Sequence, residues 1–184
     1  MAIDVFAIFT QADGTVIGGE SQVNLTLPGS LGGGTASQAI QLASFSLEVE
    51  NSLNIGSATS GAGAGKAKFD PITVTRNIDV ASPALFQLCA SGTHLKQVDF
   101  VVSQSGGSGG QKPFLRFTFS TVFVQNITWN ASAGGDAPQE TLNLEYGQME
   151  MTFLNSQTNS APTAGWSQIT NSAGPTNAPT PLAS

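Results

Sequence analysis

The feature that most constrains this chain is a two-residue apolar period. In Phe114–Asn126, Leu115, Phe117, Phe119 and Phe123 share one face, with Arg116, Thr118 and Ser120 on the other. Successive side chains of a strand point to opposite faces, so this pattern predicts a half-buried strand. Ala43, Phe45, Leu47 and Val49 repeat it between Gln41 and Glu50, and Val98, Phe100 and Val102 repeat it again. Ile72, Val74 and Ile78 line one face of Pro71–Asp79, with Arg76 interrupting. Val5–Phe9 reads as a short opening strand and Gln22–Leu27 as a weaker one. In Thr141–Phe153 the apolar set changes phase: Leu142, Leu144 and Tyr146 are even, whereas Met149, Met151 and Phe153 are odd. A slip of one residue sends side chains to the wrong face, so a β-bulge is expected at Gly147.

One helix interrupts the strands. Ser82 followed by Pro83 reads as an N-cap with proline at the first helical position, where its missing N–H costs nothing. Leu85, Leu88 and Cys89 follow at helical spacing, and Gly92 is placed to end the helix. The expected fold is therefore mainly β, a compact barrel-like domain with one short α-helix over 82–91. Roughly seven or eight strands at this spacing favour a sandwich or barrel.

Composition narrows the function. Charged residues are 10% of the 184, with 12 acids against 6 bases and a net charge of −6. A nucleic-acid binder needs a basic face, which six scattered Lys and Arg do not supply. The lost charge is replaced by Ser, Thr, Asn and Gln, 62 residues in all. One cysteine cannot form an internal disulfide, and one histidine cannot build a His-rich zinc site. The opening Met1–Phe9 is apolar but lacks a basic n-region, so no cleavable signal peptide is expected. No apolar run reaches the length of a membrane span, and no direct membrane insertion is expected. Gln11–Ser37 is rich in Gly, Ser and Thr, and Gly56–Gly65 reads as a flexible uncharged loop. Ser103–Gly110 and Ala131–Asp136 read as hairpin connections. No charge follows Glu150, and Asn171–Ser184 reads as a low-complexity tail, disordered unless a neighbour holds it.

No constellation points to catalysis. Gly61–Lys66 suggests a phosphate loop only superficially, because Ser60 replaces the first glycine and Ala67 the metal-binding hydroxyl. Ser91 and His94 are near in sequence but lack an orienting carboxylate and a nucleophile elbow. Cys89 reads as a small core residue. Glu48 and Glu50 share a solvated or interface face, and Asp99 and Glu145 read as isolated. The Asn-x-Ser/Thr sites at Asn24, Asn126 and Asn130 are expected by chance in so Ser- and Thr-rich a chain. Trp129 and Trp166 could stack on sugars, although core or interface burial accounts for them as well. The sequence therefore favours a structural or assembly role, with no enzyme, metal or cofactor chemistry, over a monomeric ligand-binding β-barrel.

Several stretches resemble the haemolysin-coregulated protein (Hcp) family, the tube protein of type VI secretion. They are Met1–Phe9, Gly65–Asp79, Ala81–His94 with its Ser-Gly-x-His ending, Val98–Val102, Phe117–Val124, Glu140–Glu145 and Gly165-Trp166. The resemblance implies an Hcp-like domain over residues 1–170, in hexameric rings that stack into a hollow tube. Its implied partners are other copies of itself, sheath and spike or baseplate proteins, and effector proteins in the lumen. It implies cytoplasmic assembly followed by secretion without a cleavable signal. The extended loop of the family matches Ile55–Lys66, which assigns ring stacking to Ile55, Gly56, Ser57, Gly61, Gly63, Gly65 and Lys66. Because charges are scarce, Glu48, Glu50 and Arg76 are taken as ring-interface pairs. Gln11–Ser37 and the tail depart from the family pattern. A related phage-tail-like particle or an extracellular tubule is the alternative structural role.

Overall fold

The computed structural model describes residues 2–51, 66–105, 110–135, 137–174 and residue 182. In chain order these form β1 (Ile3–Gln11), β2 (Val16–Ile17), β3 (Leu25–Thr26), a 3-10 turn (Gly29–Leu31), β4 (Thr35–Ala36), β5 (Ile40–Leu42), β6 (Ser44–Ser46) and β7 (Val49–Asn51). Then come β8 (Ala67–Phe69), β9 (Ile72–Asn77), α1 (Ser82–Ser91), β10 (Leu95–Ser105), β11 (Gln111–Asn130), β12 (Gln139–Phe153), β13 (Thr163–Ser167) and β14 (Ser172–Ala173).

The strand pairings return on themselves. β1 pairs with β10, β10 with β11, and β11 with β12, all antiparallel. The first half of β12 pairs with β9, and β9 pairs with β6. β5 pairs with β1, and only Ala43, whose N–H donates to the Thr75 carbonyl, separates β5 from β6. The fold is thus mainly β and barrel-like, with one helix, as the sequence predicts. The second half of β12 leaves the circuit to pair with β13, which carries β14 at its edge.

Two cores lie on opposite faces of β1 and β10. Ala7, Phe9, Val98 and Phe100 point into the barrel with Ile40, Phe119, Val122, Leu142 and Leu144. Phe6, Ile8 and Val101 point outward into a second cluster with Leu25, Leu27, Leu31 and Ala36. A strand buried on both faces reads as a continuous apolar run, which is why Val5–Phe9 shows no alternation. The outward core is roofed by the Gly- and Ser-rich stretch before β5, so that stretch is structured cover over the sheet.

The outward face also holds a buried ion pair. Arg116 Nε and Nη2 donate to Asp99 Oδ1 at 3.0 and 2.8 Å, and Nη1 donates to the Leu31 carbonyl at 2.8 Å. Thr118 Oγ1 and Gln97 Nε2 donate to the two oxygens of Asp99, each at 2.8 Å. Asp99 is therefore not isolated, and Arg116 does not sit on a solvated face. Both are buried because the second core covers what alternation alone would leave wet.

The phase change in β12 is present, but the expected bulge at Gly147 is not. The register runs unbroken from Ser120↔Gln148 to Val122↔Tyr146, and the irregularity lies in β11 between Val124 and Asn126. Both strands change face together, at Thr121 (φ 53°) opposite Gly147. Phe117 and Phe119 before that point, and Val122 and Val124 after it, all pack on the barrel core. A Cβ at Gly147 would lie 2.8 Å from Ile169 Cδ1, so any larger residue there would have to displace the exposed end of the Ile169 side chain. Phe123 consequently turns outward and is half exposed.

Helix α1 spans Ser82–Ser91 and ends at Gly92 (φ 66°), as the sequence predicts. Its start differs. The Ser82 hydroxyl does not cap the helix; it donates to Glu140 Oε1 at 3.1 Å and accepts from the Asp79 N–H at 3.2 Å. Asp79 Oδ1 accepts the Ala81 N–H at 2.8 Å, so the aspartate orders the turn into the helix.

Removing one partner of a buried ion pair leaves an uncompensated charge, so Arg116→Met should cost about 3–5 kcal/mol. The double substitution Arg116→Met/Asp99→Leu should recover part of that loss. Urea denaturation reads both; a single variant as stable as the parent would show that the pair is not needed.

Candidate functional site

β7 and β8 form a separate two-stranded ribbon, with Val49 opposite Phe69, Glu50 opposite Lys68 and Asn51 opposite Ala67. The ribbon carries residues 52–65 between its arms. Ile55, Gly56, Ser57, Gly61, Gly63 and Gly65, with the superficial phosphate loop they overlap, lie outside the described residues. Lys66 stands exposed at the base of β8. Glu48 and Glu50 are exposed beside Lys68, whose Nζ meets Asp70 Oδ1 at 2.8 Å. The hydrogen bond and charge of Asp70 raise the Lys68 pKa, and Glu50 and Glu48 add to the effect. Glu48, Glu50 and Asp70 thus surround Lys68, with Lys66 the second exposed lysine of the ribbon.

Arg76 is not with them. It is wholly buried, with Nε 3.0 Å from Glu140 Oε1, and Nη2 paired with Asp79 Oδ1 and 3.2 Å from Ser82 Oγ. The expectation that Arg76 meets a neighbouring subunit is therefore corrected: it is buried against Glu140 and Asp79 of its own chain, and its Nη1 has no hydrogen-bond partner among the described residues. Its carboxylate partner Glu140 lies 64 residues away in sequence, and nothing in the local pattern of Pro71–Asp79 points to it.

An apolar cavity of about 620 Å³ opens between the ribbon and the β12–β13 hairpin. Val49, Phe69, Met149, Met151 and Trp166 line it. Trp166 Nε1 is buried without a hydrogen-bond partner among the described residues. Tyr146 lies beside this wall, with its ring 6.3 Å from Phe69 and its hydroxyl 3.9 Å from Met149 Sδ. Periodicity missed the cavity, although the odd-numbered methionines after Gly147 were its signal. Around α1 and the far half of β11 lies a second apolar surface. Phe86 packs on Trp129 at 5.9 Å and His94 on Phe123 at 5.7 Å, and all four are partly or largely exposed. The Trp129 indole N–H donates to Glu140 Oε2 at 2.9 Å, which ties this surface to the Arg76 cluster. Ser91 Oγ lies 2.9 Å from Thr93 Oγ1 and accepts the Thr93 N–H at 3.3 Å, so Ser91 is engaged with its own turn. Cys89 packs half-buried against the barrel core, as expected.

These surfaces suit contact with other protein, and comparison with known proteins gives them a context. Residues 9–153 match the family described as "Type VI secretion system effector, Hcp". The chain belongs to the Hcp family. It is 27% identical over 88 residues to Protein hcp1 of Pseudomonas aeruginosa, an alignment covering 48% of this chain. That alignment spans about half of the curated relative, 54% of its length. The fold is similar to that of Hcp1 from Salmonella typhimurium, with TM-score 0.69, 25% identity, 95% of this chain and all of that one. It is similar also to a structure described as a type six secretion system protein, with TM-score 0.73, 24% identity, 94% of this chain and all of that one. The Hcp resemblance read from the sequence is borne out, and with it the mainly β fold. Among the described residues no helix is long and apolar enough to cross a membrane.

Tyr146 is the only tyrosine in the chain, which makes it a clean reporter of the cavity wall. Burial, with smaller contributions from Glu145 and Asp70, pushes its pKa up to about 12. The folded protein holds this proton more tightly than an unfolded chain with an ordinary value near 10. Stability from this group is therefore complete below about pH 10 and is lost as pH rises towards about 12. Phenolate absorbance should titrate with a midpoint about two units above that of the urea-unfolded chain. Equal midpoints would place Tyr146 in water.

Proposed function

We propose that this chain is a tube subunit of a type VI secretion machine, closing into hexameric rings that stack and carry effector proteins in their lumen. The family match across residues 9–153 carries this reading. The barrel interior favours it over a ligand-binding barrel, because Phe9, Phe100, Phe119 and Leu144 fill the space a small ligand would need.

Ring closure requires a heterologous contact, in which one surface of each copy meets a different surface of the next. The α1–β11 aromatic surface and the cavity beside the ribbon are two such unlike apolar surfaces. Stacking is assigned to the segment on the ribbon, Ile55, Gly56, Ser57, Gly61, Gly63, Gly65 and Lys66. A segment whose one charge is Lys66 at its end loses little hydration when the rest packs against protein. Glu48 and Glu50 are placed as rim contacts between copies. Sheath and baseplate proteins are the outer partners in this reading, and the assembled tube is exported by secretion. A lumen rich in Ser, Thr, Asn and Gln would hold passing protein weakly.

Native mass spectrometry with negative-stain microscopy tests this. Sixfold rings or stacked tubes are the expected result, and a monomer at high concentration with no ring in the presence of baseplate would overturn it. Gly61→Glu and Gly63→Glu should leave rings intact and abolish stacking. Tubes of unchanged length in both variants would remove the segment from the stacking contact.

A further inference from the structure

Leu182 lies in the uncharged stretch that follows Glu150. It is buried to 6% exposure in the outward core with Phe6, Leu25, Leu31 and Val101. Its N–H donates to the Gly33 carbonyl at 3.2 Å. Gly32, Gly33 and Gly34 all have positive φ, at 98°, 69° and 96°. A Cβ on Gly34 would lie 3.0 Å from Leu182 N and 3.2 Å from both Leu182 Cβ and O. The Gly33 carbonyl and the bare Cα of Gly34 therefore form a backbone cradle that admits another stretch of backbone, with an apolar socket beneath it. The preceding carbonyl, Leu31, is fixed by Arg116, so the cradle is braced by the buried ion pair.

We propose that this cradle and socket form a peptide-docking site for an uncharged, extended segment bearing one leucine, and that the Leu182 segment exchanges between copies of the chain. Leu182 lies beyond the stretch matched by the family, which ends at residue 153. Among the described residues, its anchorage is the Leu182 side chain and one backbone hydrogen bond. Pro179 and Pro181 bias the residues before Leu182 towards an extended chain, so docking orders little that is not already restricted. Every copy has the same socket and the same leucine, the condition for swapping an identical element between protomers. The exchange between neighbours rests on the tube-subunit reading, where adjacent copies raise the local concentration of the segment; the socket itself does not.

Two measurements on the full-length chain test this. A labelled peptide of residues 175–184 should bind the Leu182→Asp variant saturably, and the parent at least tenfold more weakly because its own leucine fills the socket. The same peptide with aspartate in place of the leucine should not bind. Should Leu182→Asp not fold by circular dichroism, Leu182→Ala takes its place. No binding to the vacated socket, or equal binding of both peptides, overturns the site. For exchange, Gly34→Val blocks a socket while leaving a leucine to donate, and Leu182→Asp leaves an open socket with none. Mixing the two should give paired species in native mass spectrometry that neither variant forms alone. A mixture showing only the species of the separate variants overturns exchange. Ring formation is read in each variant by itself, so a failed ring and a failed exchange are told apart.

Discussion

The Asp99–Arg116 pair is the interaction on which the outer half of the molecule depends. The guanidinium of Arg116 reaches two elements at once: Nε and Nη2 donate to a carboxylate of β10, and Nη1 donates to a carbonyl of the 3-10 turn. The second core could have been closed by apolar residues alone, and buried pairs are often no more stabilising than such a replacement. What the pair adds is position. The planar fork fixes Leu31 relative to the sheet, and with it the start of the cradle at Gly33 and Gly34. A second arginine does the same at the other end of the barrel. Arg76 joins β9, the turn into α1 and β12 through Asp79, Ser82 and Glu140. Two of the six basic residues are thus spent inside the chain, and Asp99 and Glu140 are buried with them, so the surface keeps the charge balance of the sequence.

Much of the architecture was legible from periodicity. The 82–91 helix, its proline entry and its glycine exit follow from local rules, and the strands from Leu95 onwards follow from alternation. Alternation failed where both faces of a strand are covered. Arg116 and Asp99 look solvent-facing by pattern, and only the roof laid down by residues 25–36 buries them. It failed again at Gly147, where a phase change is equally compatible with a bulge and with two strands turning together. The difference lies in the partner strand, at Thr121, and no reading of one strand alone contains it.

The site was less legible than the fold. The Hcp resemblance points to the ribbon and the residues it carries, whereas the scarcity of charge in the sequence points Arg76 outward. Its true partner is distant in sequence, which composition cannot reveal. The cavity lined by Met149, Met151 and Trp166 was equally hidden, since it forms only when the ribbon and the β12–β13 hairpin stand side by side.

The long ladder between β11 and β12 has a mechanical consequence. Antiparallel pairing extends from Leu115↔Phe153 to Asn130↔Gln139, and its Gln139–Leu144 part, where β12 also pairs with β9, lies inside the closed circuit of strands. A pull along the strand axis loads those hydrogen bonds in parallel, so they must shear together. A pull at the hairpin end peels them one at a time. β13 and β14, attached at one side, can strip away under loads that leave the barrel whole. A subunit driven by a push along its strands would therefore transmit thrust as a rigid body, with the outer hairpin as its first point of yield.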